Sequence, residues 1–184
     1  MKIGLTQRVL LHKNRAYDSL EHGWYRYLQG HTLCPVANRQ DQDFAALVDE
    51  LDALIITGGD DSTVRRATEI KLAKLMFVAR KPVLGICHGA FLLTDMFGGK
   101  IEPVEHHSDC EHSVYYFGEE RSVNSYHDQA ITQLHRGAVE LVVDAHGHCE
   151  AWRDGTLAGV VWHPERQQQP WLPDEIEDLF KEKL

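Results

Sequence analysis

Cysteine is scarce and scattered in this chain. Cys34, Cys87, Cys110 and Cys149 form no CxxC pair and lack the density of a disulfide scaffold. No apolar run approaches the roughly 18 residues needed to cross a bilayer. The opening stretch Met1–Arg8 puts Gln7 and Arg8 where a signal peptide would need unbroken apolar residues. Basic residues are in the minority: 19 Lys and Arg stand against 28 Asp and Glu, a formal net charge of −9. A phosphate-tracking nucleic-acid binder would carry a basic face instead, although a local cationic pocket for an anionic ligand is compatible with an acidic chain. Repeats, low-complexity tracts and Pro/Gly/Ser-rich linkers are missing as well. These absences lead us to expect a soluble, reduced, cytoplasmic protein with neither a nucleic-acid nor a membrane partner. The 184 residues fit one domain, 1–184.

What is present alternates between strand-like and helix-like stretches, the pattern of an α/β layer fold. Lys2–Thr6 reads as a strand, Ser19–Leu28 as a helix, and residues 42–51 as an amphipathic helix carrying Phe44, Leu47, Val48 and Leu51 on one side. The apolar run Ala53–Thr57 suits a buried parallel strand, with a turn at Gly58-Gly59-Asp60-Asp61. A helix then spans about Ser62–Ala79, with Ile70, Ala73 and Phe77 as its core face and Arg65 and Arg66 as its solvated face. Pro82–Ile86 is a second buried strand, followed by a helix that closes at Gly98-Gly99. Short strands at Ser113–Phe117, Arg121–Ser125, Glu140–Asp144, Cys149–Arg153 and Leu157–Trp162 lead to a last helix starting near Pro173.

The chemistry concentrates in three of these stretches. In Gly85-Ile86-Cys87-His88-Gly89 a buried strand runs through a cysteine flanked by glycines into a helix, the thiol counterpart of a nucleophile elbow. The glycines fit a turn where strand and helix backbones approach too closely for a Cβ. The sulfur would sit at a helix N-terminus, which favours thiolate. The competing reading is a buried structural cysteine. Downstream, His163-Pro164-Glu165 ends an apolar strand; residues two apart in extended chain point the same way, so Glu165 could orient His163 as the base a thiol nucleophile needs. For an oxyanion hole, the N–H of His88 is one donor and the Gly58-Gly59 turn offers the other, Gly59 foremost. Both turns lie at the carboxyl ends of strands in a parallel sheet, the edge where ligands bind.

With these stretches placed, the sequence resembles the class I glutamine amidotransferases, and within them the gamma-glutamyl-gamma-aminobutyrate hydrolase family. The likeness is carried by Ile56-Thr57-Gly58-Gly59-Asp60, the Cys87 elbow, Val123-Asn124-Ser125-Tyr126-His127-Asp128-Gln129-Ala130-Ile131 and Gly159-Val160-Val161-Trp162-His163-Pro164-Glu165, in the family's order. It implies a flavodoxin-like, mostly parallel sheet flanked by helices, a Cys87–His163–Glu165 triad and a thioester to a glutamyl group. It also implies Gly58, Ser125, Tyr126 and His127 around the glutamyl head group, and no cofactor. Two positions depart from the pattern. Phe91 stands where many relatives have Gln, four residues after the nucleophile, and Val161 stands where Gln often precedes the tryptophan. A narrower likeness, to the gamma-glutamyl-CDP-amidate hydrolases of phosphoramidate surface-glycan pathways, rests on Ile3-Gly4-Leu5-Thr6-Gln7-Arg8, Asn124-Ser125-Tyr126-His127 and Trp162-His163-Pro164-Glu165-Arg166. It implies a small-molecule gamma-glutamyl substrate linked to a nucleotide.

Other constellations carry less. His106-His107-Ser108-Asp109-Cys110-Glu111-His112 is rich in ligand-type side chains but lacks a zinc spacing, so we expect a loop near the site mouth and no metal. Arg8 and Arg166 fall at the active edge. Each could grip phosphate oxygens through its donor fork, while Arg8 could equally pair with a neighbouring carboxylate. The functions in competition are a free-standing gamma-glutamyl hydrolase, the glutaminase subunit of a two-component amidotransferase with a synthase partner, and a non-enzymatic binding protein on the same fold.

Overall fold

In the computed structural model, residues 1–104 and 108–181 are described. The strands are β1 Lys2–Thr6, β2 Arg8–His12, β3 Arg15–Ser19, β4 Thr32–Val36, β5 Ala53–Ile56, β6 Val83–Ile86, β7 Lys100–Pro103, β8 Ser108–Tyr116, β9 Glu119–Tyr126, β10 Gln129–Gln133, β11 Val139–Asp144, β12 Cys149–Asp154 and β13 Leu157–Val160. The helices are α1 Gly23–Tyr27, α2 Phe44–Glu50, α3 Thr63–Val78, α4 His88–Met96 and α5 Asp174–Lys181, with a 3-10 turn at Pro164–Arg166.

The sheet runs β4-β1-β5-β6-β13-β12-β11-β8-β9. Its first five strands are all parallel and follow the flavodoxin order, with strand direction of travel reversing at β1. From β12 onward the strands are antiparallel, and β10 ties β7 to β12. The expected α/β fold is therefore observed. β5, β6 and β13 are buried at every position, as strands covered on both faces must be. The reversal leaves a crevice beyond the carboxyl ends of β1 and β5, with the end of β6 beside it. Thr6 and Thr57 lace those ends together: the Thr57 amide donates to Thr6 Oγ1 at 3.1 Å and the Thr57 hydroxyl to the Thr6 carbonyl at 2.9 Å. No described helix is long and apolar enough to cross a membrane.

Several elements differ from the expected ones, each for a local reason. The expected helix at Ser19–Leu28 shrinks to Gly23–Tyr27, because Ser19 closes a β2–β3 hairpin that the sequence pattern hides. Lys13 and Asn14 make its turn with φ of 48° and 61°, the paired left-handed geometry of a type I′ turn. The hairpin strands are mostly exposed, so no alternation marks them. β4 was hidden by Pro35, which is tolerated because β4 is an edge strand. The stretch expected as a loop at His106–His112 is strand from Ser108 onward; His106 and His107 lie outside the described residues. The Gly98-Gly99 stop is a Schellman motif, with Gly98 at φ 89°, its amide on Asp95 O and the Gly99 amide on Thr94 O.

The largest correction concerns α3. Its buried face is Arg65, Thr68, Glu69, Leu72, Ala73 and Met76, and Phe77 is exposed. Arg65 is not solvated; it is wholly buried in an ion pair with Glu69 at 2.8 Å. Two core positions of the helix are charged, which rotates the apparent apolar stripe and misleads a periodicity reading.

Backbone proximity behind the elbow is tight enough to test. A Cβ at Gly89 would fall 2.2 Å from the Ile56 carbonyl oxygen, and backbone has nowhere to yield. Gly89→Ala should lower unfolding free energy by about 2–3 kcal/mol and Tm by about 5–10 °C, the cost of forced overpacking. An unchanged denaturant midpoint would show that α4 stands off β5 further than described.

Candidate active site

Cys87 links β6 to α4 with φ 50° and ψ −106°, a left-handed conformation that costs a non-glycine residue energy and is kept only where its surroundings impose it. The surroundings here are Gly85 and Gly89. A Cβ at Gly85 would lie 2.4 Å from the Gly89 carbonyl carbon, so any other residue would push the elbow open. The Cys87 amide is tied to Val160 O on β13 at 2.8 Å, and the residue stays 8% exposed at the cavity floor. Standing at the N-cap of α4, its sulfur sees the positive end of the helix dipole.

His163 and Glu165 meet this sulfur from the end of β13. The His163 ring hydrogen-bonds Cys87, and its Nδ1 contacts Glu165 Oε1 at 2.6 Å, with both side chains almost wholly buried. The pairing does not come from an extended chain. His163 is extended, but Pro164–Arg166 turns as a 3-10 segment and brings the carboxylate under the ring. Asn124 on β9 fixes the position from the far side: its Nδ2 donates to His163 O at 2.9 Å and its Oδ1 accepts from the His163 amide at 2.8 Å. Sequence reasoning placed Asn124 in a motif but not in this role, and only the β9–β13 juxtaposition reveals it. Burial works to lower the His163 pKa, but the Cys87 and Glu165 hydrogen bonds and charges outweigh it and push it up to about 9. The ring is therefore cationic at neutral pH.

Gly58 sits against both groups; a Cβ there would lie 2.3 Å from His163 Cε1 and 3.3 Å from Cys87 Cβ. Gly59, at φ 108°, follows it and lines the same cavity as Cys87 and His88. That cavity measures about 620 Å³, and Phe91, Tyr126, His127, Arg8 and Arg166 also face it. Ser125 is buried in β9 and is not on the cavity wall. Phe91 packs edge-on against His127, with ring centres 5.9 Å apart, so the departure from Gln puts an apolar edge beside the expected head-group site.

The two arginines stand together at the mouth, sharing one carboxylate that the sequence did not flag. Glu21 accepts from Arg166 Nη2 at 2.8 Å and Nε at 3.1 Å, while Arg8 Nη2 lies 3.7 Å from it. Arg166 also covers the Tyr126 ring at 4.5 Å. Arg166 also lies 3.9 Å from Glu165, the carboxylate already held by His163, so Glu21 is shared by both guanidinium groups and Arg8 is the more loosely held. Asp60, Asp61, Asp95 and Asp128 line other parts of the wall.

Behind His127, three ligand-type atoms of His112, His127 and Glu150 lie within 4.8 Å of one another, the one described grouping that could hold a metal ion. His112 comes from the stretch expected to be a loop without metal. Burial opposes the charge on His112, but the neighbouring Glu150 carboxylate raises its pKa, and His127 Nδ1 pairs with Gln129 O at 2.7 Å.

A thiol with a paired base, an orienting carboxylate and two turn amides beside an open cavity is equipped for acyl transfer. Comparison with known proteins agrees. Residues 15–183 match the family described as Glutamine amidotransferase class-I. The chain is 28% identical over 183 residues to a gamma-glutamyl-CDP-amidate hydrolase from Campylobacter jejuni, covering 91% of each. It is 29% identical over 137 residues to the PdxT subunit of pyridoxal 5'-phosphate synthase from a Geobacillus species, covering 64% of this chain and 71% of the other. The crystal structure of a glutamine amidotransferase from Thermotoga maritima superposes with a TM-score of 0.69 at 13% identity, covering 99% of this chain and 81% of that one, which speaks to the fold.

The raised His163 pKa has a direct readout. With histidine-labelled protein, NMR should find one imidazole that stays protonated until pH rises through about 9. Because the Cys87 contact is among the influences raising it, Cys87→Ala should lower that titration point, while the Glu165 contact remains. A His163 ring that titrates near 6.5 in the unsubstituted protein would contradict these contacts.

Proposed function

The chain belongs to the class I glutamine amidotransferase family, and on that footing we propose that it is a cysteine hydrolase releasing glutamate from a gamma-glutamyl amide. The observation that carries this reading is the buried Cys87–His163–Glu165 line, open to one cavity with two arginines at its mouth. Cys87 sulfur attacks the γ-carbonyl carbon, and the oxyanion that forms lies toward the Gly59 and His88 amides. The His163 imidazolium passes its proton to the departing nitrogen, leaving a glutamyl thioester. The neutral ring then takes a proton from water, which attacks the thioester and frees glutamate and the Cys87 sulfur. Glu165 keeps the ring's orientation and compensates its charge throughout. Tyr126 and His127 receive the glutamyl head group, and Gly58 leaves the room that lets the carbonyl approach.

For the leaving group we propose a nucleotide diphosphoramidate, as in gamma-glutamyl-CDP-amidate, with a role in surface-glycan biosynthesis in the cytoplasm. Support comes from the Campylobacter relative's name and from Arg8 and Arg166 at the mouth, where planar donor forks suit phosphate oxygens. Phe91 beside His127 favours a substrate other than free glutamine. The likeness to PdxT favours a second reading, a glutaminase subunit that hands ammonia to a synthase partner.

Assaying the purified chain alone separates the two. The hydrolase reading expects partner-independent turnover of gamma-glutamyl nucleotide and little of glutamine; glutamine turnover that appears only on adding a synthase would favour the other. Cys87→Ala should abolish turnover with the fold intact, and residual rates within about tenfold of the parent would remove Cys87 from the mechanism. Arg8→Ala should cut kcat/KM for the nucleotide substrate by roughly 10- to 150-fold, the range of a charge-assisted hydrogen bond, while a small uncharged gamma-glutamyl amide is hydrolysed nearly as before. Equal losses on both substrates with a lowered Tm would make Arg8 a structural partner of Glu21.

A further inference from the structure

We propose that Arg65 is a positioning residue that holds the Gly58–Gly59 peptide in the orientation an oxyanion hole needs, so that the hole is formed without any partner; this rests on the hydrolase reading above. Arg65 projects from the first turn of α3 into the space behind the β5 turn. There its Nη2 donates to the carbonyls of Thr57 and Gly58, the latter at 3.3 Å, and its Nη1 to the carbonyl of Asp60 at 2.9 Å. One guanidinium thus collects three carbonyls from four consecutive residues. None of the described peptide bonds is cis. In a trans peptide the carbonyl and the next N–H point in opposite directions. With Gly58 O turned inward to Arg65, the Gly59 N–H is turned outward, on the side where Gly59 lines the cavity with Cys87 and His88.

Two successive glycines would not hold that orientation by themselves, since glycine tolerates either setting of the intervening peptide. A flip would aim the Gly58 oxygen at the place where negative charge must develop, and it would strip a buried guanidinium of an acceptor, which is costly. Arg65 therefore makes one of two available states the stable one.

Glu69 completes the device. Its Oε1 accepts from Arg65 Nε and from Thr6 Oγ1, at 2.8 and 2.7 Å, and its Oε2 meets His88 Nε2 at 2.8 Å. His88 supplies the other candidate donor of the hole. A single buried ion pair on α3 thereby touches both turns that contribute amides, and the Thr6 contact ties it to the end of β1. Burial works against the Glu69 charge, but the His88 hydrogen bond and the Arg65 charge hold its carboxyl below the usual range.

The test uses Arg65→Met with Glu69→Gln, which removes the clamp while leaving no unpaired buried charge and keeping the Thr6 and His88 hydrogen bonds. Arg65→Lys serves if the double variant does not fold. For gamma-glutamyl amide hydrolysis, kcat should fall about 100- to 1000-fold, as when one oxyanion donor is lost, with KM within a few-fold. Alkylation of Cys87 by iodoacetamide, which needs the thiolate but not the hole, should keep its rate. A folded variant with kcat near the parent's, or one in which alkylation slows as much as turnover, would overturn the proposal. If the parent hydrolyses no gamma-glutamyl compound, the functional reading fails separately, and crystals of the parent and of the variant then decide. The Gly58 carbonyl should lie on Arg65 in the parent and rotate toward Cys87 in the variant; an unrotated peptide in the variant would overturn it.

Discussion

The site depends on how closely backbone is allowed to approach backbone at the carboxyl ends of β5 and β6. Gly89 lies against the Ile56 carbonyl and Gly85 against Gly89, while Gly58 leaves room for the His163 ring. These absent side chains let Cys87 hold its left-handed conformation and bring thiol, imidazole and turn amides into one small volume. A close-packed interior does not deform gradually, so a methyl group at Gly85 or Gly89 would push backbone apart, and one at Gly58 would displace the His163 ring. Strain at Cys87 is tolerated because β6, α4 and the Cys87 amide bond to β13 leave it no alternative.

Charge is handled in two different ways around the cavity. Behind the wall, Arg65 and Glu69 are buried and satisfy one another, with the partly exposed His88 ring bonded to Glu69 from the cavity side, a costly arrangement in desolvation that is consistent with rigidity. At the mouth, Glu21, Arg8 and Arg166 are partly exposed and unevenly paired, so a ligand phosphate can compete for them without stripping an interior charge. The His163–Glu165 pair lies between these regimes: buried deeply enough for the carboxylate to raise the imidazole pKa, yet in contact with a sulfur at the open face.

Much of this was legible in the sequence because it rests on local signals. Gly85-Ile86-Cys87-His88-Gly89 announces a strand, a tight turn and a helix in five residues, and the apolar runs of β5, β6 and β13 have the look of strands buried on both faces. The same is true of His163 and Glu165, although a 3-10 turn rather than extended chain makes them meet. What escaped was non-local or disguised. Asn124 and Glu21 act on His163 and Arg166, partners 39 and 145 residues away. The β2–β3 hairpin lacks alternation because little of it is buried, and β4 contains a proline that only an edge strand accepts. Arg65 was misread because charged residues ordinarily face solvent, and nothing in the spacing of α3 announces that its core face ends in an ion pair.

The central claim is that Cys87 carries the acyl group. Intact-mass and peptide mass spectrometry of enzyme quenched in acid during turnover of a gamma-glutamyl amide tests it most directly. The account predicts a glutamyl adduct on the peptide containing Cys87, absent from Cys87→Ala protein and lost on incubation at neutral pH. An adduct on Cys34, Cys110 or Cys149, or turnover at full rate by Cys87→Ala protein, would contradict it.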